Sequence, residues 1–237
     1  MRLPDWIGIG CVKCGTSWLW REMKSHPQLY SPKVKEMHFF NNAVKRSMSV
    51  YMKQLGRATD EQKTGEFTPD YFHHYEAMHL IKEYSPQSKL IVSFRHPLER
   101  AFSNWKHATN AGRFDKNKTF MDSFEFWRVR ERSIYSRWLK QWYALFPKEQ
   151  IHIVWYDDIE SQPVKVLKEV WKFLGVDESF VPDSYKDWFK FSYHEHDKKF
   201  NAQKPTPEQR KKWLDYYLPH TEELEKITGK DLTLWKR

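Results

Sequence analysis

The 237 residues are 40% apolar, enough for a core, and no long Gly/Pro/Ser-rich linker divides them, so one domain over residues 1–237 is expected. No stretch is long and apolar enough to span a bilayer, and two cysteines cannot form a disulfide framework, which excludes a membrane-spanning chain and a small disulfide-stapled scaffold. A formal net charge of +9, spread along the chain and not gathered in a tail, leaves a nucleic acid, a membrane surface or an anionic small molecule as the partner.

Trp6 to Gly10 is a short apolar and glycine run suited to a buried strand, Cys11 to Gly15 a tight loop, and Ser17 to Ser25 a helix that His26-Pro27 ends. Lys33 to Phe40 reads as an extended piece or short turn, Arg46 to Gly56 as a helix, Lys63 to Phe67 as a strand, and the region from Tyr71 to Tyr84 as a helix. Lys89 to Phe94 is the clearest central strand, with no charge inside it, as a sheet covered on both faces requires. Pro97 opens the next helix, with Leu98, Ala101, Phe102 and Trp105 toward the core.

A polar loop follows over Asn110 to Thr119, then helices over Phe120 to Arg128 and Ile134 to Phe146, and a covered strand over Gln150 to Trp155. Asp157-Asp158 reads as a turn or cap, and Pro163 to Leu174 as an amphipathic core helix stopped by Gly175. Asp177 to Thr206 is irregular. Thr206 and Pro207 open a helix expected to reach about Tyr217, with a short second helix over Thr221 to Ile227. The alternation predicts a P-loop-like three-layer α/β fold, its central and mostly parallel sheet flanked by helices.

The chemistry concentrates at the first loop. Gly10 and Gly15 let the backbone bend around an anion, the first amides of the following helix have no internal acceptors, Lys13 adds a point charge, and Thr16 and Ser17 add hydroxyl donors. Against the Walker pattern GxxxxGK[ST] the glycine spacing and Ser17 agree, but Thr16 stands in the lysine position and the lysine lies three residues earlier. The second strand ends in Arg95-His96-Pro97, and an arginine there binds a second anion where a Walker protein would place an acid for Mg2+. Cys11 and Cys14 are spaced CxxC, but no second pair exists to complete a zinc site, and structural thiols are expected.

The segments Gly8–Phe40 (GIGCVKCGTSWLWREMKSHPQLYSPKVKEMHFF), Gly65–Phe72 (GEFTPDYF), Phe94–Trp105 (FRHPLERAFSNW) and Phe146–Ile159 (FPKEQIHIVWYDDI) together resemble the sulfotransferases that use 3'-phosphoadenosine 5'-phosphosulfate (PAPS) and release 3'-phosphoadenosine 5'-phosphate (PAP). The branch they look most similar to is that of the heparan sulfate and related carbohydrate enzymes. The resemblance implies metal-independent transfer of a sulfuryl group to a hydroxyl of a glycan or small-molecule acceptor, with no nucleic-acid partner. It assigns Lys13, Cys14, Gly15, Thr16, Ser17 and Trp18 to the 5' end of the donor, and Arg95 and Ser103 to the 3'-phosphate. Arg100 and His96 stand as nearby alternatives, and Lys198 to Lys204 as a loose match to the loop over the adenosine.

Glu36 matches the family's catalytic base, with Lys13 beside it in catalysis, and His38 is the rival base. Phe67 stands where the carbohydrate enzymes usually carry a lysine, so either Lys35 or another cation supplies that charge or the acceptor site differs from that of the heparan enzymes. Lys35, Phe67, Tyr71 and His74 are the candidate acceptor contacts. A cytoplasmic protein is expected, the alternative being a Golgi-lumenal domain excised from its anchor. A Mg2+-dependent P-loop kinase or NTPase and a basic nucleic-acid-binding protein are the competing readings.

Overall fold

The computed structural model describes residues 2–42, 47–187 and 203–237. Five strands, β1 (Trp6–Gly10), β2 (Leu29–Tyr30), β3 (Lys63–Phe67), β4 (Lys89–Phe94) and β5 (Ile151–Trp155), form one sheet in the order β2-β3-β1-β4-β5. Every neighbouring pair is parallel. With helices α1 (Thr16–Ser25), α2 (Met48–Leu55), α3 (Tyr75–Tyr84), α4 (Pro97–Asn110), α5 (Trp127–Arg130), α6 (Tyr135–Leu145), α7 (Tyr156–Ser161), α8 (Pro163–Leu174) and α9 (Pro207–Thr228), the result is the expected three-layer α/β architecture.

The chain forms two compact units, Met1–Phe94 with Trp142–Lys190, and Arg95–Gln141 with Phe191–Arg237. The first contains the sheet. All five residues of β1 are buried, and the strand is read so closely by its neighbours that a Cβ on Gly8 would sit 2.3 Å from the Phe67 ring of β3. Trp6, Leu19, Phe67, Ile91, Leu167 and Trp171 share one apolar core between sheet, α1 and α8. At the end of α8 the lysines that begin two strands satisfy its last carbonyls: Lys63 Nζ donates to Leu174 O at 2.6 Å and Lys89 Nζ to Phe173 O at 2.5 Å. Gly175 closes that helix at φ 71°, a conformation that suits glycine.

The second unit packs α4, α5 and α9 about Leu98, Trp105, Phe120, Val129, Trp213 and Tyr217. Phe120 and Trp213 stack with ring centroids 4.5 Å apart. Arg100 is fully buried there, its guanidinium donating to Ser133 Oγ at 2.7 Å and to the Val129 carbonyl.

Four expected elements differ, the first being the helix expected over Phe120 to Arg128, which is a 3-10 turn over Met121–Glu125 followed by the four-residue α5. The C-terminal region is one helix, α9, that runs through Pro219 without stopping, because Trp213, Tyr217, Thr221 and Leu224 keep a single buried stripe on both sides of it. Asp157-Asp158 lies inside a short helix, α7, where both acids favour its N-terminal turn. The predicted helix from Tyr71 splits into a 3-10 turn over Pro69–His73 and α3, with His74 between them as the cap whose Nδ1 accepts from Ala77 N at 3.3 Å.

Candidate active site

In the first unit, β1 delivers the chain into the glycine loop at the point where strand order reverses, the place where open α/β sheets take their ligands. The loop is pinned from below: Cys11 N donates to Ser93 O at 3.0 Å, and Ser93 Oγ donates to Gly10 O at 3.2 Å. Lys13 and Gly15 both adopt positive φ, 69° and 83°. Gly15 is the cap residue of α1, no side chain caps the helix, and its first turn holds no acid. The helical ladder begins only with Leu19 N donating to Gly15 O at 3.1 Å. Such a terminus is the right complement to a phosphate or sulfate oxygen.

Thr16 and Ser17 stand in that first turn. Cys14 is buried with its Sγ 3.7 Å from Val12 O, and Trp18 is buried in the core with its ring facing away from solvent, so neither offers a side chain at the surface.

The segment after β2 brings a titratable cluster to the loop. Lys35 Nζ donates to Glu36 Oε1 at 2.7 Å and to Thr16 Oγ1 at 3.4 Å. His38 Nε2 lies 3.7 Å from Glu36 Oε2, an ion-pair separation. His38 is the largest influence holding the Glu36 carboxyl down to about 2, with Lys35 acting the same way and burial opposing both. Glu36 in turn pushes the His38 imidazole up from its ordinary value, against the effect of burial. The sequence candidates Lys35, Glu36, His38 and Thr16 therefore meet in one place.

The remaining candidates are placed otherwise. Phe67, expected among acceptor contacts, is fully buried and packs on Gly8; it is a core residue, since a strand covered on both faces has no free surface to offer. Tyr71 is likewise buried, and its hydroxyl accepts from Phe39 N at 2.9 Å and Phe40 N at 3.2 Å. His74 is half-buried and serves as the helix cap described above. In the second unit, Arg95 is half-buried at the start of the segment leading into α4, with its carbonyl accepting from Tyr135 OH at 2.9 Å, and Ser103 is half-buried on α4. Of the alternatives to Arg95, Arg100 is committed to Ser133 and Val129 as above. Lys204 is exposed, and Lys198 lies outside the described residues.

Glu66 and Thr68 were not among the candidates. The signal was present, since Glu66 is a charged residue inside a short, otherwise covered strand. It is 1% exposed, Thr68 Oγ1 donates to its Oε2 at 2.7 Å, and burial, only partly offset by the Thr68 and Tyr71 hydroxyls, pushes its carboxyl up to about 7. Beside Glu36 opens a cavity of about 460 Å³ lined mainly by Pro32, Val34, Met37, Phe39, Val50 and Tyr51, with Lys33, Glu36 and Arg57 also in its lining.

The family model described as "Sulfotransferase domain" matches residues 3–231. The chain belongs to the sulfotransferase domain family. Among curated relatives, the human heparan sulfate glucosamine 3-O-sulfotransferase 3B1 is 33% identical over 184 residues, covering 74% of this chain and 47% of that protein. The mouse heparan sulfate glucosamine 3-O-sulfotransferase 5 is 30% identical over 189 residues, covering 74% and 54%. The chain thus spans about half the length of these relatives.

In fold it is similar to a sulfotransferase from Alicyclobacillus acidocaldarius, with TM-score 0.85, 24% identity and full coverage of both chains. It is also similar to a mouse sulfotransferase solved in complex with PAP, with TM-score 0.58 and 18% identity over 97% of this chain and 90% of that one. The expectation of a cytoplasmic protein is corrected: the named relatives are Golgi membrane-anchored enzymes with lumenal catalytic domains. No described helix is long and apolar enough to cross a membrane, a fact that assigns no compartment.

Proposed function

We propose that residues 1–237 act as one sulfotransferase domain that moves a sulfuryl group from PAPS to a hydroxyl, with a carbohydrate as the favoured acceptor. The donor's 5' end is assigned to Lys13, the loop backbone from Cys14 to Ser17, and the hydroxyls of Thr16 and Ser17. Its 3'-phosphate is assigned to Arg95 and Ser103. The observation that carries this reading is the Lys35 bridge: one ammonium contacts both Thr16 of the phosphate loop and the carboxylate of Glu36. A proton acceptor thus stands one side chain away from the place where a sulfuryl group would be held.

In the proposed step the acceptor oxygen attacks sulfur, its proton passes to Glu36, and the bridging oxygen leaves with PAP. The ion pairs with Lys35 and His38 keep Glu36 as a carboxylate, the form that can take a proton, across the neutral range. Lys13 and the α1 amides oppose the charge that builds on the leaving oxygen. Lys35 fills the role of the cation that the carbohydrate enzymes carry where this chain has Phe67. The kinase reading loses its basis with the family match.

The test is PAP release from PAPS with a panel of acceptors, heparan oligosaccharides and simple alcohols among them. Lys13→Ala is expected to lower kcat about 100- to 1000-fold, as loss of a donor to a developing oxyanion does. Glu36→Gln is expected to lower it at least about 100-fold. Full activity in Glu36→Gln removes the base assignment. A second acceptor reading has its own support. The cavity beside Glu36 is apolar over most of its lining, which favours an alcohol carrying an aryl or alkyl group. In the panel, an aryl or alkyl alcohol turning over with higher kcat/KM than any sulfated sugar would select it.

A further inference from the structure

The backbone under the acceptor-side cluster is unusual. Glu36 and His38, neither of them glycine, hold positive φ of 65° and 51°, which persists only where the surroundings over-determine it. What surrounds them is a chain of hydroxyls. Thr68 Oγ1 gives its one hydrogen to Glu66 Oε2 at 2.7 Å, so toward His38 N, 3.3 Å away, its oxygen is left to accept. The Tyr71 oxygen accepts from Phe39 N and Phe40 N, and the hydroxyl lies near enough to the Glu66 carboxyl for the two to influence each other's titration. Three consecutive amides, those of residues 38 to 40, are therefore held by two hydroxyls, of which Thr68 gives its hydrogen to the buried carboxyl and Tyr71 lies close to it. Glu36 N is fixed separately, donating to Phe67 O at 3.0 Å. The second carboxyl oxygen, Glu66 Oε1, is buried without a hydrogen-bond partner.

We propose that Glu66 is a positioning residue for the transfer reaction: as a carboxylate it orients Thr68, and acts on the neighbouring Tyr71, so that their oxygens hold the amides of residues 38 to 40, and so holds His38 in place against the Glu36 carboxylate. This rests on the reading of Glu36 as proton acceptor. Protonation of Glu66 weakens the acceptor that fixes the Thr68 hydrogen, and a proton on Oε2 would compete with the His38 amide for the Thr68 oxygen, so the hydroxyl loses its set orientation. The groups facing the carboxyl are Thr68 just before the 3-10 turn, Tyr71 within it, His38 and Glu36 from the loop, and Tyr51 from α2. Since burial places its titration near pH 7, the wild-type kcat should rise with pH through that range.

The experiment compares Glu66→Gln, Tyr71→Phe, Thr68→Val and Thr68→Ser with the parent by amide hydrogen exchange, PAP affinity and kcat against pH, using the best acceptor of the panel above. Glu66→Gln should speed exchange at residues 38 to 40 by about tenfold or more, as loss of a hydrogen bond does, with exchange in β4 unchanged. It should lower kcat by up to about 100-fold, the cost of a misplaced reacting group, while PAP affinity stays near that of the parent. The rise of kcat through pH 7 should flatten in this variant. Thr68→Val should behave similarly, and Thr68→Ser, which keeps the hydroxyl, should restore parental behaviour. Unchanged exchange at 38 to 40 together with parental kcat in Glu66→Gln overturns the proposal, and so does an equal loss of PAP affinity. If Glu66→Gln fails to fold, the Thr68 pair decides by the same readouts. Glu36→Gln run alongside separates the two claims: full activity there overturns the base reading alone, while the exchange result still judges Glu66.

Discussion

At the scale of single residues, Glu36 and Glu66 are carboxyls driven in opposite directions by their neighbours. Glu36, between His38 and Lys35, is held down to about 2, so it stays charged wherever the fold is studied and adds no pH dependence near neutrality. Glu66 is pushed up to about 7 because its strand buries it, an effect that the Thr68 and Tyr71 hydroxyls and the charge on His38 offset only in part. The sign of its effect on stability follows from linkage. Between the ordinary carboxyl value of about 4.3 and about 7, the unfolded chain has already lost this proton while the folded chain keeps it, so stability falls as pH rises across that window. The full effect of one such group is on the order of 3 kcal/mol. Urea denaturation of the parent at pH 5 and pH 7.5 should show that loss, and Glu66→Gln should remove most of it. Equal slopes for the two proteins would mean that Glu66 does not titrate there.

At the scale of elements, the strands and their glycine loop were readable because their patterns are local. β3 and β4 fall within the expected bounds, and a run such as Leu90-Ile91-Val92 has few other uses than a covered strand. The Cys11 to Gly15 loop was readable for the same reason. What was not readable depended on partners far along the chain. Two-residue β2 is a strand only because Leu29 and Tyr30 find Lys63 and Thr64, and Tyr71 looked like an acceptor contact until its hydroxyl was seen on the backbone of Phe39 and Phe40.

Pro219 misled for a related reason, since local chemistry ends a helix there and a continuous buried stripe overrides it. Its cost should still be measurable. Proline in a helix interior removes a hydrogen bond and crowds the preceding turn, and Pro219 is exposed, so Ala can replace it without touching the core. Against the entropy that proline removes from the unfolded chain, roughly 1 kcal/mol, Pro219→Ala should still stabilise the protein by about 1–2 kcal/mol. A lower denaturation midpoint for Pro219→Ala would mean that the helix is shaped around the proline.

At the scale of the molecule, the +9 charge has a local explanation in the two proposed anion sites, and ligand binding can test it. Under the proposed assignment, the site at Lys13 would recognise what PAP shares with adenosine 5'-phosphate, while Arg95 and Ser103 would recognise only the 3'-phosphate. Arginine can hold two oxygens of that group at once, and charge-assisted bonds of this kind are worth about 1.5–3 kcal/mol each. PAP should therefore bind at least about tenfold more tightly than adenosine 5'-phosphate, and at 100 times its Kd it should stabilise the fold by about 2.7 kcal/mol. For a chain of this size such a gain raises the melting temperature by roughly 5–10 °C.

The two sites then separate by mutation. Lys13→Ala should weaken both nucleotides by a similar factor, because both lose the same contact. Arg95→Ala should weaken PAP alone and bring it down toward adenosine 5'-phosphate. If Arg95→Ala weakens the two equally, the arginine supports the fold or the general field around it, and the 3'-phosphate must be held by other residues.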